Sequence, residues 1–241
     1  IPGHVRVYLL LHAAGFMKVG ALLSGGKDSL YAAWRMMQTG HEVACFITIQ
    51  SRNPESYMFH TPNIGLTRLQ AESAGIPLMV VETDGIKERE LDDLTIAVQR
   101  SVREYGIEGI VTGAIQSVYQ ASRIERICHQ ENLWCFSPLW LCDQESYLHS
   151  LVSEGFEVII AGVFAEPLDE TWLGLKIDIP FIQRMKTINK KYHVSPAGEG
   201  GEYESFVCNA PFFKRKIIII ETKTWFEHGA GGYVITRAEL D

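Results

Sequence analysis

Apolar and polar positions alternate along the first half of this chain in the pattern of an α/β protein. Short apolar runs bounded by turn residues predict five strands, at 18–23, 43–49, 78–82, 107–112 and 133–136. Helical periodicity predicts helices between them, at 29–39, 64–74, 87–105 and 116–131. Because parallel strands need crossover connections, this β-α-β order predicts an α/β fold built on a doubly wound parallel sheet.

The pattern changes after Phe136, where prolines become frequent. A helix around 143–154 and apolar strands at 158–163 and 217–220 predict a second, smaller α/β domain. We therefore expect three segments along the chain. They are a leader or added extension over 1–16, a main domain over 17–136 and a smaller domain over 137–241.

Composition narrows the class of protein. The chain has 241 residues, of which 46% are hydrophobic and 21% charged, as in a globular protein. No run of 18 apolar residues occurs, so no membrane segment is expected. The net charge of −7 weighs against a large nucleic-acid surface, although a local basic patch stays open. Five cysteines without a CxxC pair suit reduced thiols in the cytoplasm and give zinc no support.

The segment Ser24-Gly25-Gly26-Lys27-Asp28-Ser29 stands between the first predicted strand and the first helix. Glycines there let backbone N–H groups approach an anion, and the helix N-terminus adds positive partial charge. The segment is not a Walker loop, because Ala21 and Asp28 stand where that motif needs Gly and Ser or Thr. It resembles the SGGxDS pyrophosphate loop of N-type ATP pyrophosphatases. The alternative is a glycine-rich turn that binds no ligand.

A second candidate segment follows the fourth predicted strand, at residues 113–125. Gln116, Gln120 and Arg123 fall on one helix face, with Tyr119 beside it. Ligands of parallel sheets bind beyond the carboxyl ends of the strands, so this helix begins at the expected binding edge. Arg123 suits a phosphate or carboxylate, and the alternative is an ordinary solvated helix face.

A third candidate segment, GEGGEYES at 198–205, carries the carboxylates of Glu199, Glu202 and Glu204 among three glycines. Glu202 and Glu204 are two residues apart, so an extended backbone would point them the same way. Paired carboxylates bind an amine, a cation or Mg²⁺, or accept a proton. The alternative is a surface turn with solvated glutamates.

Together these segments resemble the diphthine–ammonia ligase family, ATP-dependent amidases that complete diphthamide on translation elongation factor 2. The matching pieces run in order through most of the chain: SGGKDS at 24–29, SYMFHTPN at 56–63, GAIQSVYQASRIE at 113–125, LDETWLG at 168–174 and GEGGEYES at 198–205. SGGKDS alone specifies only the wider superfamily, and the longer segments are more specific. His60 and Trp172 lie in matching segments without an assigned role.

The resemblance implies that a carboxylate of diphthine-bearing elongation factor 2 is adenylated by ATP and then amidated by ammonium. It implies a nucleotide site at Ser24, Gly25, Gly26, Lys27, Asp28, Ser29, Gly113 and Ala114. It implies substrate contacts by Tyr119, Gln120, Arg123, Glu199, Glu202 and Glu204. The implied catalytic residues are Lys27, Asp28, Glu202 and Glu204, with Asp28 as a ligand of Mg²⁺.

Two other functions stay open from the sequence. The chain could be a tRNA-modifying ATP pyrophosphatase, which the acidic net charge and the missing CxxC disfavour. It could also be a non-catalytic module that binds ATP or AMP and regulates a partner, which Asp28 and the acidic third segment disfavour. A homo-oligomer is compatible with all three functions.

Overall fold

The computed structural model of the chain describes residues 15–52, 63–86 and 89–241. Most of the expected leader, and the SYMFHTPN segment with His60 except for Asn63, lie outside the described residues. The described part contains nine strands, six α-helices and two short 3-10 helices, at Ile64–Leu66 and Glu170–Trp172.

A five-stranded parallel sheet forms the first half of the fold and confirms the predicted α/β class. Its strands are β1 (Lys18–Leu22), β2 (Glu42–Ser51), β3 (Leu78–Thr83), β4 (Gly109–Val111) and β5 (Trp134–Phe136). Its helices are α1 (Lys27–Gln38), α2 (Thr67–Ala74), α3 (Arg89–Tyr105) and α4 (Val118–Gln130). The strand order is β3-β2-β1-β4-β5, so the direction of winding reverses between β1 and β4. Such a reversal opens a crevice at the carboxyl ends of the two strands.

The alternation of side chains along β2 explains why both faces of the sheet are covered. Phe46 packs on one face, in a core with residues of α1. Cys45 and Ile47 point to the other face and pack with residues of α3 and α4. All five cysteines of the chain are free thiols.

The second half is built on an antiparallel sheet rather than on another parallel one. It contains α5 (Gln144–Ser153), β6 (Glu157–Val163), α6 (Ile179–Tyr192), β7 (Tyr203–Asn209), β8 (Ile217–Glu227) and β9 (Ala230–Leu240). The strand order is β7-β6-β9-β8. The predicted helix at 143–154 and strands at 158–163 and 217–220 correspond to α5, β6 and the start of β8, whereas α6, β7 and β9 have no counterpart in the sequence prediction.

The two halves share one hydrophobic core. Leu30 of α1, Leu148 of α5 and Val207 of β7 belong to the same buried cluster. The other face of the antiparallel sheet buries Ile159 and Phe206, with Leu69 of α2 packed against them. The second half therefore packs directly against the elements that follow β1 and β2.

Trp172, which the sequence left without a role, is a core residue. It is buried and packs edge-on against Phe181 of α6, with ring centroids 5.6 Å apart. The Arg184 guanidinium lies 3.7 Å from the centroid of the Trp172 ring. Its contacts are therefore those of a packing residue.

Candidate active site

A cavity of about 370 Å³ opens at the carboxyl ends of β1 and β4, where the winding of the sheet reverses. Its lining brings together the segment after β1, the segment after β4 and the GEGGEYES segment, and Ile47 and Ile49 of β2 add apolar side chains. Its lining includes Ser24, Gly26, Lys27, Asp28, Ser29, Gly113, Ala114, Gln120, Glu199 and Glu204. Three segments that are far apart in the sequence thus meet at one site.

The first segment bends sharply into α1. Gly25 has φ of +85°, a conformation that side chains other than glycine rarely adopt, and Lys27 is the first residue of α1. The hydroxyl of Ser29 donates to the Gly26 carbonyl at 3.0 Å, and the Ser24 and Ser29 oxygens lie 3.3 Å apart. These contacts close the turn and leave two hydroxyls beside the N-terminus of a helix, an arrangement that favours an anion.

Hydrogen bonds from β7 and α2 hold the backbone of the Ser24–Ser29 segment. The Lys27 N–H donates to the Ser205 hydroxyl at 3.1 Å, and the Val207 N–H donates to the Gly25 carbonyl at 3.1 Å. The amide nitrogen of Gln70 donates to the carbonyls of Gly25 and Val207, both at 2.9 Å. Strand β7 and helix α2 therefore hold the turn in place.

The buried side chain of Lys27 and the partly exposed side chain of Asp28 form an ion pair on the cavity wall. The Lys27 ammonium donates to Asp28 Oδ2 at 2.9 Å and to the Ala197 carbonyl at 2.6 Å. The Tyr147 hydroxyl donates to Asp28 Oδ1 at 2.9 Å. Burial, followed by the Asp28 carboxylate, raises the pKa of Tyr147 well above its ordinary value, so the hydroxyl keeps its proton.

Gly113, which follows β4, lies against the backbone of the first turn of α1. A Cβ atom at this position would stand 2.6 Å from the Asp28 carbonyl carbon and 2.7 Å from the Ser29 nitrogen. Real Cβ atoms do not approach backbone that closely, so only glycine fits here without a shift of the chain. Gly113 thus brings the end of β4 and the turn before α1 together.

Glu199 joins the third segment to the start of α4. One of its oxygens, Oε1, accepts hydrogen bonds from the N–H groups of Ile115, Gln116 and Ser117, at 3.2, 2.7 and 2.9 Å. Ser117 in turn caps α4 by accepting from the Gln120 N–H at 3.3 Å. The carboxylate thus holds the backbone that leads into α4, just before its first helical residue, Val118.

The predicted substrate face of α4 is only partly turned to the cavity. Gln120 lines it, whereas Gln116, Tyr119 and Arg123 are absent from its lining. The Arg123 guanidinium stacks on Tyr119, with its central carbon 3.4 Å from the ring centroid. It also donates to the Tyr119 carbonyl at 3.3 Å. In this structure the two side chains form one unit beside the cavity.

Glu202 and Glu204 do not form the pair of carboxylates that their spacing suggested. Glu202 accepts from the N–H groups of Ser195 and Gly200, both at 2.8 Å, and so closes its own loop. It is absent from the cavity lining, whereas Glu204 is part of it. The extended conformation begins only at Tyr203, the first residue of β7, so the two-residue alternation does not include Glu202.

The carboxyl group of Glu204 lines the cavity, lacks a hydrogen-bond partner on one oxygen within the described part of the chain, and has a raised pKa. Its Oε2 atom is buried and has no hydrogen-bond partner among the described residues. Burial raises the pKa of Glu204 from 4.5 to about 8, and the nearby Lys27 charge opposes only part of this increase. A buried oxygen without a partner beside a cavity indicates a position for a ligand or a transferable proton.

Four residues that contact the site were missed by the sequence analysis. Gln70, Gln144 and Tyr147 occupy ordinary helical positions, and no local pattern distinguishes them. Ser205 is the last residue of the GEGGEYES segment, and its place in that segment was the one indication that it belongs to the site. All four act through hydrogen bonds between distant parts of the chain, which sequence spacing does not reveal.

The comparisons with known proteins agree with the resemblance. Residues 17–134 match the diphthamide synthase N-terminal domain and residues 143–240 match the diphthamide synthase C-terminal domain. A diphthine–ammonia ligase of Rattus norvegicus is 33% identical over 238 residues, covering 90% of this chain and 88% of its own length. The Schizosaccharomyces pombe diphthine–ammonia ligase is 32% identical over 231 residues, which are 89% of this chain but only 38% of that longer protein.

A solved structure from Methanocaldococcus jannaschii, described as a predicted subunit of tRNA methyltransferase, aligns with a TM-score of 0.43 and 22% identity. The alignment covers 81% of this chain and 98% of that one. Among the described residues, no helix is both long and apolar enough to cross a membrane. With both domain models matched along most of its length, this chain belongs to the diphthine–ammonia ligase family.

Proposed function

We propose that this protein converts the carboxyl group of diphthine on elongation factor 2 into an amide, consuming ATP and ammonium. The observation that carries the proposal is the shared cavity. In a member of this family, Lys27 of the turn formed by Ser24–Ser29 and the carboxyl of Glu204 line the same cavity. We call this turn the phosphate-type turn. Five free cysteines suit a reducing compartment, and we assign the reaction to the cytoplasm.

The first step activates the substrate carboxylate. A carboxylate oxygen attacks the α-phosphorus of ATP, the bond from that phosphorus to the bridging oxygen of the β-phosphate breaks, and pyrophosphate leaves. The hydroxyls of Ser24 and Ser29 and the N-terminus of α1 hold the leaving group, while Lys27 offsets part of its charge. Gly113 and Ala114, which line the cavity at the end of β4 beside this turn, are assigned to the nucleotide as well.

Asp28 fits a role as a ligand of Mg²⁺ carried with ATP. Its side chain is about one-third exposed and lies on the cavity wall. The described residues contain no group of three or more acidic, His or Cys side chains that could hold a metal alone. Nucleotide phosphates and water would therefore complete the coordination, as is usual for Mg²⁺. Bound there, the ion would supply charge neutralisation to the phosphates.

The second step forms the amide. Ammonium first loses one proton to give ammonia, which attacks the acyl carbon of the adenylate; the bond to the AMP oxygen breaks, AMP leaves, and the attached nitrogen loses one further proton. Glu204 is the group that we assign to accept a proton, because its oxygen is unpartnered and its pKa of about 8 lies near neutral pH. Glu202 is less suited, since both of its oxygens already accept backbone hydrogen bonds.

The remaining predicted residues receive roles according to their contacts. Gln120 lines the cavity and is assigned to the substrate. Glu199 holds the start of α4, and through it the position of Gln120. Arg123, stacked on Tyr119, is assigned to the part of the substrate that lies outside the cavity.

The direct test is amidation of diphthine-bearing elongation factor 2 with ATP and isotopically labelled ammonium. Mass spectrometry should show the label in the diphthine side chain, with AMP and pyrophosphate formed in equal amounts. Turnover that depends on tRNA instead of elongation factor 2 would replace this proposal with a tRNA-modifying function. ATP binding without any turnover would favour a regulatory module.

A variant isolates the second step. Glu204→Gln should keep ATP binding and pyrophosphate release but lose amide formation, because the amide cannot accept a proton. Glu221→Gln, an exposed glutamate on β8, is the control and should behave as the unmodified protein. Unchanged amide yield in Glu204→Gln would remove Glu204 from the mechanism.

A further inference from the structure

Helix α5 of the second half approaches the Lys27–Asp28 ion pair from behind the cavity. Gln144 and Tyr147, three residues apart, lie on one face of this helix. Tyr147 is buried, and its hydroxyl is 2.9 Å from Asp28 Oδ1. Neither residue belongs to a segment that pointed to function in the sequence.

The ion pair is held at both ends. Gln144 Oε1 accepts from the Ser195 hydroxyl at 2.6 Å and from the Ala197 N–H at 2.9 Å. The carbonyl of Ala197 accepts from the Lys27 ammonium at 2.6 Å. One end of the pair is therefore anchored through the peptide of Ala197, and the other end directly by Tyr147.

We propose that Tyr147 is a positioning residue for the nucleotide reaction, because it holds the Asp28 carboxylate at the cavity wall. Each oxygen of the Asp28 carboxylate accepts from a different donor: Oδ2 from the Lys27 ammonium and Oδ1 from the Tyr147 hydroxyl. Without the hydroxyl, only the Lys27 ammonium would orient the carboxylate, and Asp28 would be free to rotate toward Lys27. The kinetic arm of this inference rests on the proposed reaction, and its binding arm rests on the assignment of Asp28 to Mg²⁺.

The size of the effect follows from the type of hydrogen bond. A bond to a charged group contributes more to stability than one between neutral groups. Its loss at a reacting site should lower the rate of pyrophosphate release about 10- to 100-fold. Affinity for MgATP should fall by a similar or smaller factor, while affinity for ATP without magnesium should change little.

The test compares Tyr147→Phe with a matched variant, Tyr31→Phe. The Tyr31 ring lies 5.1 Å from the Tyr147 ring, and its hydroxyl donates to Glu154 at 2.9 Å rather than to Asp28. Both variants lose one buried hydroxyl from the same aromatic cluster. Thermal unfolding should therefore change similarly in both, which separates a structural loss from a positional one.

Two readouts are needed, calorimetric binding of MgATP and ATP, and pyrophosphate release with diphthine-bearing elongation factor 2. Tyr147→Phe should lose MgATP affinity and rate, and Tyr31→Phe should keep both. Equal behaviour of the two variants would overturn the positioning role. If the unmodified protein releases no pyrophosphate but Tyr147→Phe still loses MgATP affinity selectively, the proposed function fails and the positioning role stands.

Discussion

Glu204 should make the stability of this protein fall as the pH rises, and the substitution Glu204→Gln should remove that dependence. In the folded protein burial raises the pKa of Glu204 to about 8, whereas the value for a free side chain is 4.5. The unfolded chain therefore releases this proton at a lower pH than the folded protein does. Between these two values the folded state binds more protons, so its stability declines with increasing pH.

The magnitude follows from the difference between the two pKa values. Below about pH 4.5 both states are protonated and the group has no effect on stability. Above about pH 8 the full difference applies, which is about 5 kcal/mol, because one pKa unit corresponds to about 1.4 kcal/mol. Between about pH 5.5 and about pH 9 the expected loss is about 3 kcal/mol. Glutamine has nearly the same shape and does not titrate, so the variant should not show this loss.

The assay is urea unfolding of both proteins at several pH values without nucleotide. The quantity of interest is the difference in unfolding free energy between variant and unmodified protein, since contributions of other groups cancel in it. Glu204→Gln should gain about 3 kcal/mol relative to the unmodified protein from about pH 5.5 to about pH 9. Ser205→Ala, a neighbour on β7 that removes a hydrogen bond to Lys27 but no titratable group, should give a constant difference. A constant difference for Glu204→Gln as well would refute the claim that its charge is buried at a cost.

Two further substitutions test how the segments are held together. Gly113→Ala should weaken ATP binding at least tenfold and lower the free energy of unfolding by about 1–3 kcal/mol, since the new Cβ meets α1 backbone at 2.6 Å. Gly65→Ala, where no atom lies within 4 Å of a new Cβ, is its control in calorimetry and urea unfolding. Glu199→Ala should speed hydrogen exchange at the amides of residues 115–117 and cost about 1–3 kcal/mol, because three N–H groups lose their acceptor. Unchanged exchange at these amides would show that water replaces the carboxylate without loss.

The parallel sheet was predictable because its strands follow local rules. Runs such as Glu42–Ser51 are apolar on both faces, as strands covered by helices on two sides must be. The second half was harder. The apolar run of strand β8 covers only its first four residues, and Thr236 and Arg237 interrupt β9, so no apolar run marks the full length of either strand. Their turn at His228 and Gly229, both with positive φ, was the one local signal of a hairpin.

The candidate site was predictable where chemistry is concentrated in a short segment. The turn at Ser24–Ser29 and the carboxyl of Glu204, each selected from a short sequence pattern, line one cavity, and their roles there stay predictions. The pairing of Glu202 with Glu204 was wrong, because a strand begins between them and Glu202 turns back to its own loop. Spacing rules hold only within one element, and the sequence did not locate the boundary.

The partners of the phosphate-type turn explain why the second half is needed for the site. Ser205 holds the Lys27 N–H, and the next residue toward the N-terminus, Glu204, offers its carboxyl to the cavity. A shift of β7 would therefore move both the turn that we propose to bind phosphate and the group that we assign to the amidation step. Because the two halves also share one buried core, such a shift would require repacking of α1. If the proposed mechanism holds, a substitution at another position of β7 that shifts the strand should impair both steps together.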